Sequence, residues 1–178
     1  MTAPRVVVLV GHGAPARDCP PELVARLKGL AGRRRASGAQ PSDEERALDE
    51  QVRRWPRTDA TDPYRAGLLG LAARLRPLLG DDELVVAYNE FCAPTLEEVV
   101  RERAARGVRS FLVVPSMLTP GGVHSEVEIP ERIAELSREL PRTVIAYAWP
   151  FDVGAVAAML ADQVRRFTVT SAPNGSGG

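Results

Sequence analysis

Four short apolar runs divide this chain: RVVVLVG from Arg5, ELVVAYNE from Glu83, SFLVVPSML from Ser110 and TVIAYAW from Thr143. Each is brief, rich in β-branched residues and bounded by polar or turn-forming residues, which is the pattern of strands buried on both faces. The stretches between them have helical spacing. In PTLEEVVRERAARG, Leu96, Val99, Val100 and Ala104 share one face, Thr95 and Glu98 have the spacing of a capping box, and Gly107 closes the helix. Pro130 opens a helix over IPERIAELSREL, because proline is tolerated in a first turn, and VGAVAAMLADQVRRF supplies a last amphipathic helix. Strand and helix in alternation predict an α/β fold: a parallel four-stranded sheet with helices on both faces, in flavodoxin-like layers joined by right-handed crossovers.

A length of 178 residues with 44% apolar content suits one domain, expected over residues 1–170, with a flexible tail at 171–178. A first helix is expected over about residues 21–30. Residues 31–66 read as an insertion placed to cover a site: an arginine-, serine- and glycine-rich mobile part, then the turn-rich loop WPRTDATDPY. Helical periodicity resumes from Tyr64 to Leu79.

In a sheet of this kind ligands bind beyond the carboxyl ends of the strands, and that rule selects residues. His12 in GHG follows the first run, Glu90 in NEFCAP the second, His124 in TPGGVHSEVE the third and Asp152 in WPFD the fourth. Both histidines of the chain therefore fall on one sheet edge. Two imidazoles with nearby carboxylates suit a borderline divalent ion such as cobalt, nickel, iron or zinc, and two histidines alone leave coordination positions open, as transfer or catalysis requires. The competing reading is that each histidine only hydrogen-bonds the backbone in its loop. Gly11, Gly13, Gly121 and Gly122 are either turn formers or points where a flat ligand approaches the backbone. Ser125 and Glu128 have capping-box spacing, but a helix begun at Ser125 would put Pro130 in its interior; a later start frees Glu128 to face the site. Glu97 and Glu98 read as helix-start residues, and Cys92 as a small buried group.

Several classes are excluded. Lys+Arg and Asp+Glu both number 23, so net charge offers no reason to bind nucleic acid or an anionic membrane. Cys19 and Cys92 fit no disulfide framework, and the first apolar run is too short to span a bilayer and lacks the order of an export signal, so a cytoplasmic protein is expected. The glycine spacing matches no nucleotide loop, and there is no nucleophile elbow, so no organic cofactor is expected.

VVVLVGHGA, AYNEFCAPTLEEVV and GVRSFLVVPSMLTPGGVHSEVEIPERI together resemble the class II, sirohydrochlorin-type metal chelatases in their small single-domain form. The resemblance covers about Val6 to Gly13 and Leu84 to Leu140. It implies a chelatase-like fold, insertion of a divalent metal (cobalt first, with iron or nickel as alternatives) into sirohydrochlorin or a similar early tetrapyrrole, and pairing of two subunits into a homodimer. By position it makes His12 and His124 the metal-binding and proton-accepting pair, with Glu90 and Glu128 as accessory acids. Gly11, Gly13, Gly121, Gly122 and Ser125 would line the macrocycle. Arg33, Arg34, Arg35, Arg53, Arg54, Arg57 and Arg65 are either candidates for its carboxylates or a solvated surface, while Trp55 and Tyr64 either stack on the macrocycle or, as the favoured reading, pin the insertion to the core. Glu128 stands where the family has aspartate, TPGG replaces a more apolar approach to His124, and the insertion is longer than usual. The alternatives are a non-catalytic metal or tetrapyrrole delivery protein of the same fold, and a structural α/β domain whose histidines are incidental.

Overall fold

The strand β1 (Val6–Gly11) is buried along its whole length, because it pairs on both sides and is covered on both faces. In the computed structural model, which describes residues 5–167, it pairs in parallel with β2 (Glu83–Tyr88) and with β3 (Ser110–Pro115). The strand β4 (Val144–Tyr147) adds to β3 in the same sense, so the sheet is four-stranded in the order β2-β1-β3-β4. The pleat of β1 divides the core. Val6, Val8 and Val10 pack with Leu96, Val99 and Val100 of helix α4 (Leu96–Ala105) and with Ile129 and Leu136 of helix α5 (Ile129–Glu139). Val7 and Leu9 pack on the opposite face with Leu68 and Ala72 of helix α3 (Pro63–Leu75). Helices on both faces of a parallel sheet are what the alternating pattern predicts.

The Thr95–Glu98 capping box forms with both of its hydrogen bonds, and α5 carries Pro130 in its first turn. Helix α6 (Val153–Arg166) is capped by Asp152, whose Oδ1 accepts from Ala155 N at 2.8 Å. Asp152 is thus a capping residue in this chain.

Residues 31–66 differ from expectation. Helix α1 runs from Pro21 to Ser37, because its alanines and arginines are good helix formers and the chain meets a left-handed stop only at Gly38 (φ 65°). Helix α2 (Asp43–Arg53) follows, with Ser42 Oγ accepting from Glu45 N at 3.1 Å. Its Leu48 and Val52 pack on Leu27 of α1, together with Ala16 and Cys19, while Trp55 packs against this cluster from its margin. The segment expected to be mobile is therefore a helical hairpin with its own small core. Among the described residues no helix is long and apolar enough to cross a membrane. The tail at 171–178 lies outside the described residues.

Candidate metal centre

The register Gly11↔Tyr88 and Val10↔Pro115 ends β1, β2 and β3 at one level, so the loops that follow emerge side by side. Between the first two the ladder continues past the strands. Asn89 N donates to Gly11 O and Glu90 N to His12 O, each at 2.8 Å, and this fixes Glu90 relative to His12. Gly13 has φ 89°, and a Cβ there would overlap the Glu90 carbonyl. A Cβ on Gly11 would overlap Leu68 and come within 3.1 Å of the Tyr64 hydroxyl. The space that a Cβ would take at these two glycines is filled by the protein itself. Gly121 and Gly122 do face open space.

His124 enters through a π-helical turn, His124–Glu128, which runs directly into α5. Such turns occur often at functional sites, and this one sets His124 and Glu128 four residues apart on one side. The Tyr147 hydroxyl of β4 donates to Ser125 O at 2.8 Å and holds the turn down. Ser125 itself is only 1% exposed, with its hydroxyl lacking a partner.

The two imidazoles meet edge to face, with ring centroids 4.6 Å apart and the Nε2 atoms separated by 3.1 Å. Their tautomers follow from their partners. His12 Nδ1 lies 2.8 Å from Gly13 O, which can only accept, so Nδ1 carries the proton. His124 Nδ1 lies 2.8 Å from both Glu128 Oε2 and Asn89 Nδ2. Burial pushes the Glu128 carboxyl up, but hydrogen bonds from Asn89 and His124, with the charges of His124 and Arg132, outweigh it and hold the group below the usual carboxylate range. An ionised Glu128 accepts the His124 Nδ1 proton, and Asn89 Nδ2 donates to the same carboxylate oxygen at 2.8 Å.

The two Nε2 atoms consequently face one another, joined by an N–H···N hydrogen bond while His124 is charged and presented as two lone pairs once that proton is lost. With both lone pairs free, an imidazole–metal distance of ~2.0–2.1 Å gives an angle of about 100° at a shared ion. Ligand atoms of His12, Glu90 and His124 all lie within 4.8 Å of one another. Three donors on one side of an ion leave its other side open.

Beneath the site lies a set of buried arginines. Arg57 (side chain 7% exposed) pairs with Asp62 (1%) and donates to Phe91 O, to Ala14 O at 2.8 Å and to Val52 O at 3.2 Å. Arg53 donates to Asn89 O and Cys92 O at 3.1 and 3.2 Å, and Arg132 to Asn89 O at 3.3 Å. Arg53 and Arg57 therefore grip the loops that carry His12 and Glu90, a correction to their expected place at a ligand rim. Arg34 pairs with Glu45, and Arg54 with Glu50 and Glu98. Arg35 alone of the candidates touches the site, reaching both Glu90 and Glu128. The Tyr64 hydroxyl accepts from His12 N at 2.7 Å, and Cys92 is buried, with its thiol pushed up by desolvation. Asn89 was missed from sequence; its place beside Glu90 after a strand was the only signal.

A family model described as CbiX matches residues 60–167, a stretch that holds Glu90, His124 and Glu128 but not His12. A sirohydrochlorin cobaltochelatase of Methanopyrus kandleri is 36% identical over 72 residues, which are 40% of this chain and 50% of that protein. The match thus spans half the length of that curated relative. Among solved structures, a cobalamin (vitamin B12) biosynthesis CbiX protein from Marinobacter aquaeolei is 19% identical with a TM-score of 0.56, covering 92% of this chain and 93% of that one. SirB from Bacillus subtilis with Fe3+ is 17% identical with a TM-score of 0.50, covering 93% of this chain and 48% of that one. At such identities the two structures speak for the fold alone.

Proposed function

The chain belongs to the CbiX family, and from that premise we propose that it inserts a divalent metal ion, cobalt first with iron or nickel as alternatives, into sirohydrochlorin or a similar carboxylated early tetrapyrrole. The observation that carries this reading is the pair of Nε2 atoms facing at 3.1 Å with the Glu90 carboxylate beside them. The metal is a substrate here, so the site must take it from water and then release it. Two neutral imidazoles and one carboxylate, all on one side of the ion, replace part of its water shell and leave the far side for the macrocycle.

Insertion exchanges two pyrrole N–H protons for one divalent ion, and both protons need an acceptor. As the ion leaves, the Nε2 of His124 is freed to take a proton, and the resulting imidazolium is stabilised by Glu128, 2.8 Å from its Nδ1. Glu90, freed from the ion in the same event, is the acceptor for the second. His12 keeps its ring plane through Gly13 O, so its Nε2 stays aimed at the ion.

Pairing of two copies belongs to this reading. SirB is about twice as long as the part of it that this chain matches. Large apolar side chains are also open to solvent: Val144 of β4, Met159, Leu160 and Val164 of α6, and Phe167 just beyond it are all at least 50% exposed. A second copy would cover these side chains. A single domain in the cytoplasm is the setting this requires.

The test is the absorbance change when anaerobic sirohydrochlorin and cobalt(II) are mixed with the protein, against a blank and a His124→Ala variant. Acceleration that the variant loses supports the chelatase. A rate equal to the blank, from folded protein that still binds cobalt, would replace it with a delivery protein.

A further inference from the structure

Arg35 lies in the last turn of α1, and its Nη2 donates to Glu90 Oε1 at 3.1 Å and to Glu128 Oε1 at 3.4 Å. These carboxylates come from two different loops, one after β2 and one in the π-helical turn after β3. The neighbouring Arg34 ties this end of α1 to Glu45 at 2.8 Å, where the Glu45 side chain is 9% exposed. The backbone of Arg35 is thereby anchored while its own side chain stays 54% exposed and free to swing.

Glu90 is claimed twice. It is one of the three donors that converge within 4.8 Å, and it is also the nearer partner of Arg35. A carboxylate cannot give its full charge to both a guanidinium and a divalent ion, and bringing the ion in sets two like charges side by side. Four of the other candidate arginines have no such conflict, since Arg53 and Arg57 hold backbone carbonyls and Arg34 and Arg54 pair with acids elsewhere.

Resting on the chelatase reading above, we propose that Arg35 binds the peripheral carboxylates of the macrocycle and, until the macrocycle arrives, is parked on Glu90 and Glu128. Parked, it competes with the metal for Glu90. A carboxylated macrocycle offers it a bidentate partner, Glu90 is released to the ion, and by linkage each substrate tightens the binding of the other. No bond is made or broken in this exchange. The consequence is that the ion is held firmly only when an acceptor for it is in place.

The experiment is calorimetric titration of cobalt(II) into wild type, Arg35→Gln and His124→Ala, alone and with copper uroporphyrin, a carboxylated macrocycle that already holds a metal. An exposed ion pair of this kind predicts that Arg35→Gln binds cobalt(II) alone about three- to fivefold more tightly than wild type. Copper uroporphyrin should tighten cobalt(II) binding by a similar factor in wild type and leave Arg35→Gln unchanged. Equal or weaker cobalt(II) binding by Arg35→Gln overturns the exchange while leaving the metal site intact. Undiminished cobalt(II) binding by His124→Ala would overturn the site itself, a separate result.

Discussion

Replacing Arg57 by Met should unfold the protein more easily and loosen the metal site together. The Arg57 side chain is 7% exposed and that of Asp62 is 1%, so this is an ion pair out of water, and its guanidinium also serves the carbonyls of Ala14, Val52 and Phe91. Removing one partner of a buried pair leaves an uncompensated charge and typically costs 3–5 kcal/mol. For a domain of this size each kcal/mol lowers Tm by about 2–4 °C, which places the expected fall at roughly 6–20 °C. The reasoning separates two contributions. Asp62 also caps α3, its Oδ1 accepting from Arg65 N at 2.9 Å, and asparagine can keep that cap without the charge. The double variant Arg57→Met, Asp62→Asn should therefore recover about 1–2 kcal/mol over Arg57→Met alone. Urea unfolding of the wild type and the single and double variants reads both quantities. A single variant within about 1 kcal/mol of wild type would refute the buried-pair argument, and an unrecovered double variant would mean that the lost carbonyl contacts carry the whole cost. Since Ala14 and Phe91 adjoin the loops of His12 and Glu90, cobalt(II) affinity should fall with stability.

Three further outcomes are expected. Glu128 is held below its ordinary value of 4.5, so the stability it contributes is present above that pH and is lost as pH falls through the folded value; urea titrations of wild type and Glu128→Gln should diverge above about pH 4.5 and converge in stronger acid. Gly13→Ala should cost on the order of 1–3 kcal/mol and weaken cobalt(II) binding, because φ is 89° and its Cβ would overlap the Glu90 carbonyl, whereas Gly122→Ala, with nothing within 4 Å, should leave the melting temperature and cobalt(II) binding unchanged. Leu160→Glu, on the open face of α6 where Leu160 is 55% exposed, should convert a paired species to a single copy by light scattering, with no loss of helical circular dichroism.

The parts of this fold that sequence reasoning reached are those governed by local rules. Strand positions follow from short β-branched runs, whereas the expected late start at Pro130 does not hold: helical backbone runs unbroken from the turn at His124 into α5, and the π-helical register accommodates the proline. Placement of His12, Glu90 and His124 at one edge follows from topology alone, because parallel strands in register end together. The helical hairpin was less legible for a stated reason. Ser42 and Glu45 have the S-x-x-E spacing of a helix start, and Leu48 and Val52 lie four apart, but the abundance of arginine and glycine around them masks both signals.

What no local rule supplies is the assignment of arginines. Arg34, Arg35, Arg53, Arg54 and Arg57 are the same residue in one polar stretch, yet in the folded chain they hold an acid, a site, a loop, another helix and a buried pair. Which role each takes depends on the face that α1 and α2 turn to the sheet, and that is settled by Leu27, Leu48 and Val52 packing together. A hydrophobic contact outside the site thus decides that Arg57 is buried beneath His12 and Glu90 while Arg35 projects above them. The consequence for function is that the hairpin both braces the loops of His12 and Glu90, the proposed metal ligands, and sets a cation against Glu90 and Glu128. Loosening its small core should disturb loop rigidity and site charge together, although none of its apolar residues touches the site.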